Sequence, residues 1–273
     1  MKKTLILPLL VAMTSPAFAV DIYFMETGEE YEVGHVLSSA SPTHNGGSYN
    51  VETWDQRGGG APSPATTVIE DPTGAGKGNV FHYQTKIPNS WHYQNDISFN
   101  VQTQVQFTTF EFYLVDIGGS SSFNGPKFQI QGDRTNFDDG ARAVRFSPEH
   151  TPNGGDFVYF GETAGTVVLD DLVRENWYRL DSTVYGATKT WDVEITDLSD
   201  GSVNQSWSGL EWDGAGPSAL GGLNWGTNSS NNNQSVYLNN IAAGSEYFKV
   251  PEPASMALLG FGGLLMLRRS RKA

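Results

Sequence analysis

The chain has 273 residues, 31 glycines, no cysteine and a formal net charge of −13, from 30 acids against 17 Lys and Arg. Lacking cysteine, it has no disulfides, thiolate metal sites or cysteine nucleophile, and its stability must come from one apolar core. A surface this acidic repels phosphate backbones, which argues against nucleic acid as a partner.

At the N-terminus, Lys2 and Lys3 precede an apolar run from Leu5 to Met13, followed by Pro16 and Ala17-Phe18-Ala19. This pattern predicts a secretory signal peptide over residues 1–19, with the mature chain starting near Val20. Residues 20–249 are long enough for one all-β domain and contain no internal repeat and no dividing linker.

Strand signals fill this body. Phe99, Val101, Thr103, Val105 and Phe107 alternate with Asn100, Gln102, Gln104 and Gln106, the period of one half-buried strand. A second run covers 110–117, and further candidates lie at 127–131, 141–146, 157–160 and 166–169. The best hairpin is 177–198, turning at Gly186-Ala187-Thr188-Lys189. In its second arm Trp191, Val193 and Ile195 point one way, and Asp192, Glu194 and Thr196 the other, so one face is core and one wet. Short strands between polar, Gly-rich turns predict two packed antiparallel sheets, an all-β jelly-roll sandwich.

Several loose landmarks run through the body: Phe24 to Gly28, Val68 to Val80, Asn176 to Leu180 and Ser235 to Ile241. Together they resemble concanavalin A-like lectin and glucanase jelly rolls. Glucanases of that resemblance use a Glu-x-Asp-x-x-Glu run as nucleophile and general acid. The nearest match, Glu211-Trp212-Asp213, lacks the third carboxylate, and Glu194 with Asp197 fails because residues three apart on a strand face opposite sides. The five histidines are scattered, with no zinc spacing and no nucleophile elbow. These absences predict a protein that is not an enzyme.

Two further chemistries are open. The resemblance implies a structural calcium between an early acid, here Glu26, and the closing strand near Asn239 and Asn240, where Asn239 stands in place of the usual Asp. Asp133, Asn136, Asp138 and Asp139 also crowd a Gly-bounded loop at 132–140, which suits hard oxygen ligation of calcium as well as it suits a solvated acidic turn. Sugars stack on aromatic rings and hydrogen-bond polar neighbours, so Trp207, Trp212 and Trp225, in a Gly/Asn/Ser-rich region, and Trp91 with Tyr93 are candidate carbohydrate contacts; core packing is the competing role for each.

The chain ends in Val250-Pro251-Glu252-Pro253-Ala254, thirteen uncharged residues from Ser255 to Leu267, and a tail in which Arg268, Arg269, Arg271 and Lys272 are cationic. As a helix, the uncharged run reaches about 20 Å, short of a bilayer core of about 30 Å, and its charged end stays on the cytoplasmic side. Pro251, Glu252 and Pro253, the apolar helix and the Arg cluster resemble the PEP-CTERM sorting signal of Gram-negative bacteria, here residues 250–273. The resemblance implies export by the secretion machinery, transient membrane insertion, recognition by the membrane protease exosortase, and delivery to the cell surface or extracellular matrix. Discarding residues 1–19 and 254–273 leaves 11 cations against all 30 acids. The reading is thus a surface-sorted, non-catalytic β-sandwich that binds extracellular polysaccharide. The alternatives are a secreted glycan-cleaving hydrolase or lyase, and a structural matrix protein with no defined ligand.

Overall fold

Among the described residues, period-two alternation builds fifteen strands, numbered here in chain order, in two antiparallel sheets. The computed structural model describes residues 22–37, 55–57, 66–85, 93–116, 127–131, 142–151, 154–160, 166–173, 175–212, 220–227 and 234–246. The signal peptide, the 132–140 loop and the sorting tail lie outside them.

The first sheet runs, in spatial order, β13 (Val203–Glu211), β12 (Thr190–Asp197), β11 (Trp177–Tyr185), β6 (Val105–Asp116), β15 (Gln234–Gly244), β4 (Asn79–Thr85) and β3 (Thr66–Glu70). β1 (Ile22–Glu26) also pairs with β15, along Ile241–Gly244, while β4 takes Gln234–Leu238. The second sheet runs β10 (Thr166–Leu172), β9 (Gly154–Phe160), β8 (Arg142–Thr151), β7 (Lys127–Gln131), β14 (Leu220–Thr227), β5 (Tyr93–Thr103) and β2 (Asp55–Arg57). The last strand of the body therefore sits mid-sheet, between β6 and the β4/β1 pair. The chain cannot complete this sheet until its C-terminal end is in place.

The core lies between the sheets. Phe110, Phe112 and Leu114 of β6, Tyr178 and Leu180 of β11, Trp191 and Ile195 of β12, and Val236 and Leu238 of β15 meet Phe128, Ile130, Val144 and Leu223 from the second sheet. The Phe128 ring stacks on Phe110 at 4.8 Å, and Phe112 stacks on Tyr178 at 5.6 Å. Such aromatic pairs add about 0.5–1.5 kcal/mol each beyond their buried area.

One expected strand divides. The single strand expected from Phe99 to Phe107 breaks at a bend at Gln104, where the chain passes from β5 in one sheet to β6 in the other. The Gln104 carbonyl accepts the Gly186 N–H at 2.6 Å, which ties the crossover to the hairpin tip. Past this point the parity of β6 puts Gln106 on the core side. There its amide donates to the Thr108 hydroxyl at 3.1 Å and to the Gly222 carbonyl at 3.5 Å. Phe107 is left on the opposite, outer face.

Candidate functional site

The outer face of the first sheet carries polar and aromatic side chains in register. Direct cross-strand partners share a face, so His82, Tyr237, Tyr113 and Trp177 form one row across β4, β15, β6 and β11. Farther along the same strands come Glu111 opposite Arg179, Thr109 opposite Asp181, and Phe107 opposite Thr183. Asp181 also faces Glu194, and Thr183 faces Asp192, on β12.

The first half of this face is closed by a loop, residues 71–79. Asp71 folds the loop by accepting the Thr73 N–H at 2.9 Å, the Thr73 hydroxyl at 2.6 Å and the Lys77 N–H at 3.0 Å. Burial alone would raise the Asp71 pKa, but these bonds, with the Thr73 hydroxyl foremost, outweigh it and hold the group below the usual carboxylate range. The Trp177 indole then donates to the Thr73 hydroxyl at 2.8 Å, and the Asn239 amide to the Lys77 carbonyl at 3.1 Å. So anchored, Lys77 lies 3.0 Å from the Glu111 carboxylate and 5.6 Å over the Trp177 ring. In the row beneath, the Tyr113 and Tyr237 rings stack on each other at 25°, and burial raises both phenol pKa values. They stand upright on the sheet, ring against ring, and do not form a flat platform.

The second half is open. A pocket of about 360 Å³ lies over β11, β12 and β13, within the common size range of small-ligand sites of about 300–1,000 Å³. Phe107 floors it, buried to 1%. Asp181, Asp192 and Glu194 line it together with the hydroxyl-bearing Thr183, Ser206 and Ser208. Trp207, 40% exposed, borders it from β13, where it pairs with Val193 and so lies on the core-side face, while Ser206 pairs with Glu194. The β12–β13 register shifts between Trp191 and Val193, next to Gly209 at φ 70°. Glycine tolerates that backbone freely, and the Gly209 N–H donates to the Asp192 carboxylate at 2.9 Å.

The three carboxylates are not equivalent. Asp181, 7% exposed, accepts the Thr109 hydroxyl at 2.6 Å and the Arg179 guanidinium at 2.8 Å. The second oxygen of Asp192 accepts the Tyr185 hydroxyl at 3.0 Å. Glu194 has no hydrogen bond or ion pair among the described residues.

The candidates named from sequence separate on this geometry. Trp207 is 40% exposed at the pocket's edge, whereas Trp212 is 2% exposed in the core, its indole donating to the Thr190 carbonyl at 3.1 Å. Trp212 packs at the tip of the β11–β12 hairpin, beside the 186–189 turn, and presents no face to a ligand, which corrects its candidacy as a sugar contact. Trp225 stands on β14 and Tyr93 on β5, in the other sheet; their side chains, and Trp91 altogether, lie outside the described residues. The same holds for Asp133, Asp138, Asp139, Pro251, Glu252 and Pro253.

At the calcium candidates, Glu26 is fully buried and pairs across from Ile241, next to Asn240 at φ 48°. The Asn240 amide oxygen is buried without a hydrogen-bond partner. Asn239 is engaged otherwise: its oxygen accepts the Asn240 N–H at 2.9 Å while its amide holds the loop. One carboxylate and one amide oxygen suit a hard cation, yet no cluster of three His, Asp or Glu is close enough to hold one among the described residues.

Sequence reasoning placed Asp192 and Glu194 on a wet face without joining them to a site. Counting the hairpin register back from the Gly186–Lys189 turn puts Asp181 directly opposite Glu194, a signal present in the sequence. The contribution of Phe107 had no such signal, since it depends on the sheet change at Gln104.

Residues 249–272 match the PEP-CTERM protein-sorting motif. That motif marks the chain for export and surface sorting through exosortase. No curated protein matches the chain by sequence. Among solved structures, the conserved carbohydrate esterase vb_24B_21 of Shiga toxin-encoding bacteriophage phi24B superposes with a TM-score of 0.51 at 14% identity, covering 84% of this chain and 100% of that one. Lectin II from Ulex europaeus gives 0.46 at 12%, covering 71% and 93%. The catalytic domain of the glycoside hydrolase family 131 protein from Coprinopsis cinerea gives 0.49 at 11%, covering 85% and 96%. At such identities the similarity speaks for the jelly-roll fold alone.

Proposed function

We propose that this is an exported, surface-sorted, non-catalytic β-sandwich that binds extracellular polysaccharide in the pocket over β11, β12 and β13. The observation that carries this reading is a concave site in which carboxylates and hydroxyls surround the apolar floor of Phe107, with Trp207, 40% exposed, at its edge, the pairing of apolar face and polar fringe that a sugar ring requires.

Binding without cleavage is supported by the state of the carboxylates. Glycoside hydrolysis needs two carboxyl groups free to act across one bond. Here Asp181 and Asp192 already accept two bonds each, and Glu194 alone is uncommitted. The name of the phage relative, a carbohydrate esterase, belongs to that protein. Within the same reading we assign a structural calcium to the Glu26 carboxylate and the Asn240 amide oxygen, where it would supply the partner that this oxygen lacks and pin β1 to β15.

Incubation of the secreted protein with an array of bacterial and plant polysaccharides tests the binding, and release of reducing ends tests the chemistry. Retention on at least one glycan, lost in Trp207→Ala, with no new reducing ends, is the expected result. Reducing-end release that depends on Glu194 would replace this reading with an enzyme. Chelation that leaves the melting temperature unchanged would remove the calcium.

A further inference from the structure

We infer that, while its sorting signal is still attached, this protein stands with one end of the first sheet against the exporting membrane, and that the open pocket lies at that end, shielded from polymers until cleavage releases the body. The partner of this end is the lipid surface. That the excluded polymer is a polysaccharide rests on the reading above; the placement of the body does not.

Three observations carry it. First, the tail leaves the body at a fixed place and on a short tether. β15 ends at Gly244, which is buried, and β1 begins beside it, with Ile22 and Gly244 in direct register. The sorting motif matches from residue 249, and only residues 245–250 separate Gly244 from Pro251. Fully stretched, that connection reaches about 20 Å. The whole span to the uncharged run, residues 245–254, reaches about 35 Å at full stretch and roughly half that as a flexible chain. β15 alone, with 11 residues, is about 35 Å long. Turning the opposite end of the sheet to the membrane would therefore need the tether at its limit.

Second, the tether is not lengthened by fraying. β15 is hydrogen-bonded along both edges, to β6 on one side and to β4 and β1 on the other, and Ile241, Ala242 and Ala243 are buried up to its end. Third, the pocket shares a row with the point of exit. Gly244 pairs with Phe107, Phe107 with Thr183, and Thr183 with Asp192. Phe107 floors the pocket, and Thr183 and Asp192 line it. At about 4.8 Å per strand, Asp192 stands about 14 Å from where the tail departs. A short sugar still reaches such a site, whereas a long chain meets the bilayer beside it. Cleavage near the motif removes that obstacle, so the protein gains its polymer ligand only after it is sorted.

The natural chain has no cysteine, so single-cysteine variants report one position each. They are labelled in the full chain, in cells lacking exosortase with the outer membrane opened, and again in the processed, secreted protein. Each rate with a bulky polymer-linked maleimide is divided by the rate with a small one. In the uncleaved chain, Ala187→Cys at the exposed hairpin tip and Ser208→Cys at the pocket should show ratios severalfold below that of Asp200→Cys, exposed at the opposite turn. In the secreted protein the three ratios should be alike. A long Gly/Ser insertion after Glu246 should restore polymer labelling with the tail still attached. Uniform ratios in the uncleaved chain, unequal ones in the secreted protein, or an insertion that changes nothing overturn the inference. Protection as stated, with no polysaccharide retained by the secreted protein, keeps the orientation and overturns the carbohydrate reading instead.

Discussion

The two halves of the outer face of the first sheet are built from the same strands and opposite kinds of closure. Over β15, β6 and the start of β11, the 71–79 loop covers the aromatic row, and Lys77 neutralises Glu111, whose side chain is 8% exposed. Over the far end of β11 and over β12 and β13 no described segment is laid down, and Asp192 and Glu194 line an open pocket. A carboxylate appears in each half. What differs is whether a described lysine neutralises it, so one half is structure and the other is a concave surface.

Exchanging the two tryptophans for alanine breaks this comparison most directly. Trp177, 4% exposed and hydrogen-bonded to Thr73, should cost about 3–5 kcal/mol, because its loss opens a cavity and frees the loop that depends on it. Trp207→Ala should cost less, about 1–2 kcal/mol, since 40% of its surface faces solvent against 4% for Trp177. Denaturant melts of both variants measure the gap. Equal losses would mean that Trp207 is a packing residue and that the open half is closed in solution.

Removing the cation rather than the ring has the next largest effect. In Lys77→Met the aliphatic part of the side chain is kept and the Glu111 carboxylate is left nearly buried without its counter-ion, which should cost about 2–3 kcal/mol. The double variant Lys77→Met with Glu111→Gln should recover part of that loss, because no unpaired charge then remains. Failure of the second change to rescue the first would show that Lys77 works through loop anchoring alone.

The loop itself can be loosened at its far contact. Gly28 has φ 89°, and a Cβ there would collide with the Asn79 carbonyl at the loop's end. Gly28→Ala should cost about 1–3 kcal/mol, from backbone strain and from the displaced Asn79, whose amide donates to the Tyr31 carbonyl at 3.1 Å. Hydrogen exchange should then rise across 71–79 and leave the β12–β13 pair unchanged.

How much of this was legible beforehand differs between the halves. The hairpin of β11 and β12 follows from alternation, and its buried face of Trp191, Val193 and Ile195 is as the period demands. Trp207 and Trp212 look alike in sequence, five residues apart in a polar stretch. Alternation alone would put them on opposite faces, but the β12–β13 register slips beside Gly209, setting Trp207 beside Val193 and Leu210 beside Trp191, and a single sequence carries no mark of a register slip beyond a glycine. The crossover at Gln104 was hidden for a related reason: alternation continues through it, so the period gives no sign that the chain has changed sheets. The closure by the 71–79 loop depends on contacts such as Trp177 with Thr73, 104 residues apart, which local patterning cannot reach.

The mildest test acts on the loop's fold through pH. Asp71 is held below its ordinary pKa by the bonds from Thr73 and Lys77, so its folded pKa lies under the unfolded one. A depressed carboxylate contributes stability that is fully present above the unfolded value of about 3.9 and drains away as pH falls through the folded one. Asp71→Asn should therefore be less stable than the natural chain at pH 7, and the two stabilities should converge as the pH drops below about 4. The group is only partly buried, so the difference is small, and it should be read as a change in the slope of stability against pH. A parallel offset at every pH would assign the effect to lost hydrogen-bond geometry, and the closed half would then owe its closure to Trp177 and Lys77 without help from the charge at the loop's base.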